Sequence, residues 1–407
     1  MALHVVNEAR RCLNCKKPLC REGCPINTAI PQMIEMFLNG GINEAGEMLF
    51  QNNPLSLVCS LVCNHESQCE GHCILGRKGQ PVHISSIENY ISSNYFDKLD
   101  TKPGPSNGKR VAIIGSGPAG ITIAILLAQR GYGVTIFEGK DKIGGVLRYG
   151  IPEFRLPKSI LDGYKAKLLA LGVKIRPNTT IGSAIGIDDL FRDGYKAVFI
   201  GTGVWKPNTL KIKGESLGNV HYAIDYLCNP DSYELGDSVN VIGAGNAAMD
   251  AARTALRKGV GKVTVFARRE NAAANQMEYE YAKIDGVQFE FFKAPVEITE
   301  DGVVFRDMER DEDGNLVPVQ GSEKLFPAAS TIISISQGPR DVIVNSTGGI
   351  SVNGRGLVVT DEFGHTTREG IFASGDVVAG AKTVVEAVRY SKQVADAMDE
   401  YMQRLAD

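Results

Sequence analysis

Two stretches of the chain share one construction. "IIGSGPAG", Ile113 to Gly120, and "VIGAGNAA", Val241 to Ala248, each open on the end of a strand pattern. Each is followed by a helical pattern and then a second apolar strand. In both, the first glycine makes a tight turn and the second lets backbone approach a pyrophosphate. The third position, Gly120 or Ala248, sets how closely the helix packs on the sheet. The helix N-termini, beginning Pro118–Ala119 and Asn246–Ala247, would offer free N–H groups to phosphates. Two βαβ units demand parallel sheets, so the chain reads as α/β with two Rossmann-like nucleotide-binding domains. Val111 to Ala128 is long enough to approach a bilayer span, but its Gly-Ser-Gly-Pro cluster reads as strand, turn and helix instead.

The two units differ in what they should bind. The first carries Gly115, Gly117 and Gly120, and its second strand ends at Glu138, where a carboxylate can accept both ribose hydroxyls. "GGVLRYGIPEFRLP" follows directly, and its Gly144, Gly145, Leu147 and Arg148 could pass over a flat ring. Gly201, Thr202 and Gly203 end an apolar strand. Gly375 and Asp376 precede a helix starting near Thr383 and Val384, whose N-terminus can face the electron-rich edge of a flavin. Together these favour FAD at the first unit. The second has Gly243, Gly245 and Ala248, and its second strand ends in Arg268 and Arg269 rather than an acid. Arginine forks onto a 2′-phosphate, so NADPH is favoured over NADH.

Before the first unit lies a cysteine-rich segment. Eight of nine cysteines fall between Cys12 and Cys73, at Cys12, Cys15, Cys20, Cys24, Cys59, Cys63, Cys69 and Cys73. The ninth, Cys228, reads as a buried thiol. The N-terminus lacks the apolar core of a signal peptide, and a cytoplasmic protein is expected. In a reducing compartment such clustering means metal or redox chemistry rather than disulfides. Structural zinc is one reading, with His65 and His72 close to the second group. Eight cysteines with a proline after Cys24 fit a two-cluster ferredoxin arrangement better. "IPQMIEMFLNG" and "INEAGEMLFQN" place apolar residues at helical spacing. The expected domains are a helical 4Fe–4S domain over 1–100, a linker over 101–109, an FAD domain over 110–210 and 336–407, and an NAD(P)H domain over 211–335 inserted in it. A net charge of −3 gives no basic footprint for nucleic acid.

Cys-x2-Cys-x4-Cys-x3-Cys-Pro, Cys-x3-Cys-x5-Cys-x3-Cys, "IIGSGPAG", "GGVLRYGIPEFRLP", "VIGAGNAAMD", "ARRE" and "SGDVV…KTVVEAV" occur in that order. In this the chain resembles the glutamate synthase small-subunit family of FAD/iron–sulfur oxidoreductases. That family includes the electron-input half of dihydropyrimidine dehydrogenases and the large subunit of electron-bifurcating transhydrogenases. The resemblance implies two 4Fe–4S clusters. Cys12, Cys15, Cys20 and Cys73 would hold one; Cys24, Cys63, Cys69 and Glu88 would hold the other, leaving Cys59 spare. The C-terminal stretch looks like the dihydropyrimidine dehydrogenase type, whereas Glu88 stands where those proteins tend to have Gln. The implied role is electron input. Hydride passes from NAD(P)H to FAD, and single electrons pass through the clusters to a catalytic partner subunit in a hetero-oligomer. A stand-alone flavoprotein reductase and a zinc-stabilised nucleotide-binding scaffold are the alternatives. No side-chain acid–base set is expected, nor any membrane or nucleic-acid partner.

Overall fold

The computed structural model describes residues 2–99 and 101–405. The chain forms two compact units. One comprises residues 1–147, 153–204 and 339–407; the other comprises 148–152 and 205–338.

The first unit opens with helices Ala2–Ala9, Leu19–Glu22, Ile30–Leu38, Ile42–Asn52, Ser56–Val62 and Ile84–Lys98. The Ile30–Leu38 helix starts with a proline in its first turn and buries Ile30, Met33, Ile34 and Phe37, one helical face. Gly46 lets the Ile42–Asn52 helix lie against Tyr95 of the Ile84–Lys98 helix, because a Cβ there would sit 2.3 Å from the Tyr95 Cβ. Residues 101–109 carry no helix or strand.

A five-stranded parallel sheet follows in the same unit, ordered Ile371–Ala373, Tyr195–Ile200, Arg110–Ile114, Gly133–Phe137, Lys174–Arg176. Its central strand buries Val111, Ala112 and Ile113 completely. The Pro118–Gln129 helix is apolar all round, as a helix covered on several sides must be. The edge strand Ile371–Ala373 comes from the chain's last segment, after the whole second unit has been traversed. The second nucleotide-binding domain is thus an insertion in the first.

The cysteine-bearing helices and this sheet domain share contacts within the unit. Tyr164 Oη donates to Pro54 O at 2.9 Å, and the Tyr164 ring lies 4.6 Å from that of Phe96. Lys167 Nζ donates to Leu99 O at 2.6 Å, and Lys392 Nζ to Asn52 O at 2.5 Å. Both ammonium groups meet carbonyls near the ends of helices, where the dipole favours a cation.

The second unit has its own parallel sheet, ordered Val220–Tyr222, Ser330–Ile333, Ser238–Ile242, Lys262–Phe266, Gln288–Glu290. It also carries an antiparallel sheet of Lys293–Thr299, Gly302–Arg310, Leu316–Pro318 and Lys324–Pro327. The stacked rings of Phe266 and Phe305, with centroids 4.0 Å apart, join the two sheets. No described helix is long and apolar enough to cross a membrane.

Candidate functional site

Sequence distance separates Cys12 from Cys73, and local hydrogen bonds close that gap. Arg11 donates from Nη1 to Pro81 O at 3.0 Å and from Nη2 to Gln80 O at 2.6 Å, and pairs with Glu8. Glu8 accepts the His83 N–H at 2.8 Å. Glu70 accepts both the N–H and the hydroxyl of Ser85, at 2.8 and 2.7 Å. The end of the first helix and the Cys63–Cys73 loop are therefore fastened to the start of the Ile84–Lys98 helix. The result is a cavity of about 90 Å³ lined by Cys12, Cys15, Cys20 and Cys73 among apolar side chains such as Leu19, Ile34 and Ile84. Cys24 does not line it.

Cys24 belongs with a second, more deeply buried group. The Cys69 thiol is pushed well up, first by burial and then by the neighbouring charges of Glu88, Glu70 and Cys24. Cys63 is raised by its contact with Cys59, by burial, and by Cys59, Glu88 and Cys69 nearby. Burial lifts the Glu88 carboxyl to about 8, with Glu70 adding to the shift. Two bonds place Glu88 beside these sulfurs. Asn89 Nδ2 donates to Ser60 Oγ at 3.1 Å and Ser92 Oγ to Ser56 Oγ at 3.1 Å, pinning the Ser56–Val62 helix, which ends at Cys63, to the Glu88 helix. Cys59 is buried in that helix. His72 Nδ1 sits 2.6 Å from Gln68 O, while the buried Nε2 of His65 lacks a hydrogen-bond partner.

The donor set suits an iron–sulfur group. In the first cavity burial raises Cys12 and lifts Cys20 to about 11, with mutual repulsion among Cys12, Cys15, Cys20 and Cys73 adding to it. Thiolates so placed need a cationic centre to stay deprotonated. Backbone N–H groups already face the sulfurs: Asn14 at Cys12, Arg21 at Cys20 and Glu70 at Cys69. Asn14 takes the left-handed conformation, φ 45°, between two of the thiols. Such N–H···S contacts orient and tune cluster ligands. Among the described residues no three His, Cys, Asp or Glu side chains close on a single metal ion. Cys12, Cys15, Cys20 and Cys73 stand around a cavity instead. Cys228 is only half-buried, at the end of the short Ala223–Cys228 helix, not the buried thiol expected.

The first fingerprint gathers at the carboxyl edge of its sheet. Gly115, φ 96°, would place a Cβ 2.6 Å from Gly201 O, so the turn touches the Gly201–Thr202–Gly203 segment. A Cβ on Gly145 would meet Gly117 Cα at 2.8 Å, and one on Gly375 would lie 3.1 Å from Ala119 Cβ. Gly117 itself faces open space. Pro118 begins the helix, and buried Leu147 backs the loop. Glu138 is buried; it accepts the Ser116 N–H at 2.9 Å, the Ser116 hydroxyl, and the Lys140 N–H at 2.8 Å. Burial lifts Asp376 to about 6, partly offset by the Lys382 N–H. Thr383 caps the Val384–Arg404 helix in a reciprocal box with Glu386. Arg148 groups with the other unit.

In the second unit Gly243, φ 114°, passes 2.1 Å, by its would-be Cβ, from Ser334 O, and Gly245 faces open space. Asn246 Oδ1 accepts the Asn275 N–H at 2.9 Å; Ala247 is exposed and Ala248 is fully buried. Arg268 and Arg269 are exposed just beyond the Lys262–Phe266 strand. Glu270, next in the chain, is paired with Arg310 at 2.6 Å.

Two family models match the chain. Residues 2–99 match the family described as dihydropyrimidine dehydrogenase domain II, 4Fe-4S cluster, and residues 109–391 match the pyridine nucleotide-disulphide oxidoreductase family. The chain is 36% identical to a glutamate synthase (NADPH) small chain of Halomonas elongata, over 97% of this chain and 90% of that protein. It is 31% identical to an NAD-dependent dihydropyrimidine dehydrogenase subunit PreT homolog of Salmonella typhi, over 98% and 95%. Its fold is similar to that of Mycobacterium tuberculosis FprA in complex with NADPH, with TM-score 0.61 and 19% identity over 74% of this chain and 85% of that one.

Proposed function

Because the chain belongs to the family of glutamate synthase small chains and their dihydropyrimidine dehydrogenase relatives, we propose that it is the electron-input subunit of a larger oxidoreductase, taking hydride from NADPH and delivering single electrons to a catalytic partner subunit. FAD and two 4Fe–4S clusters supply the conversion from a two-electron donor to one-electron delivery when bound. The observation that carries this reading is the packing of cysteine helices and the flavin-type fingerprint into one compact unit.

The chain's own groups hold and orient. Gly117 would leave room for the pyrophosphate, the Pro118–Gln129 helix would offer N–H groups to it, and Glu138, held by its bonds to Ser116, would accept ribose hydroxyls. Asp376 and the capped N-terminus at Thr383 and Val384 would hold the ring system, together with Gly144, Gly145, Leu147, Gly201, Thr202 and Gly203. Gly243, Gly245 and Ala248 hold the nicotinamide dinucleotide, and Arg268 and Arg269 take the 2′-phosphate. Glu270, occupied by Arg310, does not compete for the ribose. Cys12, Cys15, Cys20 and Cys73 ligate one cluster; Cys24, Cys63, Cys69 and Glu88 ligate the other. The protein works in the cytoplasm as part of a hetero-oligomer.

Anaerobically purified protein should be brown, with about eight irons and eight acid-labile sulfides per chain and one FAD. It should bleach on addition of NADPH. A colourless, zinc-containing protein, or a yellow one lacking sulfide, would refute the reading. Affinity purification of the native complex identifies the partner.

A further inference from the structure

Asn52, the last residue of the Ile42–Asn52 helix, is oriented from both sides. Its Nδ2 lies 3.3 Å from Ile26 O and 3.2 Å from Thr28 Oγ1. A carbonyl can only accept, which fixes the amide nitrogen on that side. Its Oδ1 lies 3.4 Å from Lys392 Nζ, which can only donate, and the same ammonium is 2.5 Å from the Asn52 carbonyl. The amide therefore cannot be flipped, and Asn52 donates to the Thr28 hydroxyl.

Thr28 is left with one proton to place. Its Oγ1 is 3.3 Å from Cys24 Sγ. A free thiol could donate across that distance, but a thiolate bound to iron has no proton, so the hydroxyl must be the donor. Thr28 is 5% exposed, so water does not screen the contact. All protons along Lys392, Asn52, Thr28 and Cys24 then point toward the sulfur, and each bond polarises the next. Cys12 and Cys20 face backbone N–H groups instead.

We propose that Lys392, Asn52 and Thr28 form a directional hydrogen-bonded relay from the C-terminal helix to the Cys24 sulfur, and that it raises the reduction potential of the cluster Cys24 ligates. This rests on the ligand role given to Cys24 above. A hydrogen bond to a ligand sulfur stabilises the more negative, reduced cluster, which moves its potential upward. Thr28 and Asn52 are positioning residues; Lys392 orients Asn52 from a helix of the flavin-type domain.

The test is a potentiometric EPR titration of the full-length holoprotein. Thr28→Val, which swaps hydroxyl for methyl, should shift one cluster to lower potential and leave the other in place. Thr28→Ser should restore the original value. Lys392→Met, whose side chain can no longer hold Asn52, should give a smaller shift of the same cluster in the same direction. Unmoved potentials in a fully iron-loaded Thr28→Val protein overturn the relay. If Thr28→Val fails to load iron, an unmoved potential in Lys392→Met overturns it. Cys24→Ala separates the two layers: loss of one cluster upholds the ligand role, and retention of both clusters overturns that role whatever the Thr28 variants do.

Discussion

On the proposed reading, the cysteine region and the nucleotide folds hold their groups in opposite ways. Around Cys12–Cys73 the capturing atoms are side chains drawn from distant positions and brought together by bonds such as Arg11 to Pro81 and Glu70 to Ser85. At the two fingerprints the proposed holding atoms are mostly backbone, set by the Gly-x-Gly turns, and Gly117 and Gly245 leave open space there. Side-chain capture is all-or-none, because a cubane lacking a ligand is exposed and labile. Backbone capture is blocked by adding atoms rather than by removing them.

The sharpest break of that contrast is ligand removal. Cys73→Ala should eliminate one cluster and Cys69→Ala the other, each leaving about four of about eight irons. Iron and sulfide counts with EPR on both variants check this. If each variant loses all its iron, the two groups are not separate sites. Glu88→Ala should behave as Cys69→Ala does.

Next in size is the reverse manoeuvre. A side chain at Gly117 meets no atom within 4 Å, and its φ of −71° suits any residue. Gly117→Val should therefore melt as the flavin-free parent does yet lose most of its flavin, since the added atoms fill the pyrophosphate approach. Flavin-to-protein ratio and thermal unfolding measure the two properties. Retention of full flavin would place the nucleotide elsewhere.

A smaller effect separates the regions by pH. In cluster-free protein the Glu88 carboxyl is raised from 4.5 to about 8 by burial. The folded state then holds a proton that the unfolded state has released. This contribution to stability is full below pH 4.5 and is lost as pH rises toward 8. Cluster-free protein should lose melting temperature across that window, and Glu88→Gln should flatten the slope. An unchanged slope would show that Glu88 is not the buried acid responsible. At the first fingerprint Asp376, raised by burial from 3.8 to about 6, adds a loss of the same sign at the lower end, so the part of the window above pH 6 belongs to Glu88.

The same contrast explains what could be read from the chain alone. The Gly115-x-Gly117 and Gly243-x-Gly245 turns were legible because everything they do is local: strand, turn and helix occupy consecutive residues. The helices Ile30–Leu38 and Ile42–Asn52 were legible from their apolar period. The antiparallel sheet between Lys293 and Pro327 was not, since its central strand, Gly302–Arg310, mixes apolar and charged residues without a period of two. Thr28, Asn52 and Lys392 were invisible as well. Each is an ordinary polar residue, and Lys392 stands in a helix 340 positions beyond its partner. Glu88 surfaced only by resemblance, because nothing in its spacing marks one carboxylate of a helix as buried.

The smallest predicted effect tests the one place where the second fingerprint leans on side chains. Arg268 and Arg269 are exposed, so each contact to a 2′-phosphate is partly screened. A charge-assisted hydrogen bond contributes about 1.5–3 kcal/mol when well formed, and about 1.4 kcal/mol corresponds to a tenfold change in affinity. Exposure puts the expected rise in KM for NADPH near the lower end, about tenfold for Arg268→Ala/Arg269→Ala. KM for NADH should move less than about twofold, since NADH has no phosphate there and the backbone turn at Gly243 and Gly245 is untouched. Gly245→Val should instead raise both values together, because the space it fills serves the pyrophosphate common to both. Equal rises in the arginine variant would make the two arginines a solvated strand end. The second nucleotide site would then be held by its backbone turn, without a ribose-facing side chain such as Glu138 gives the first.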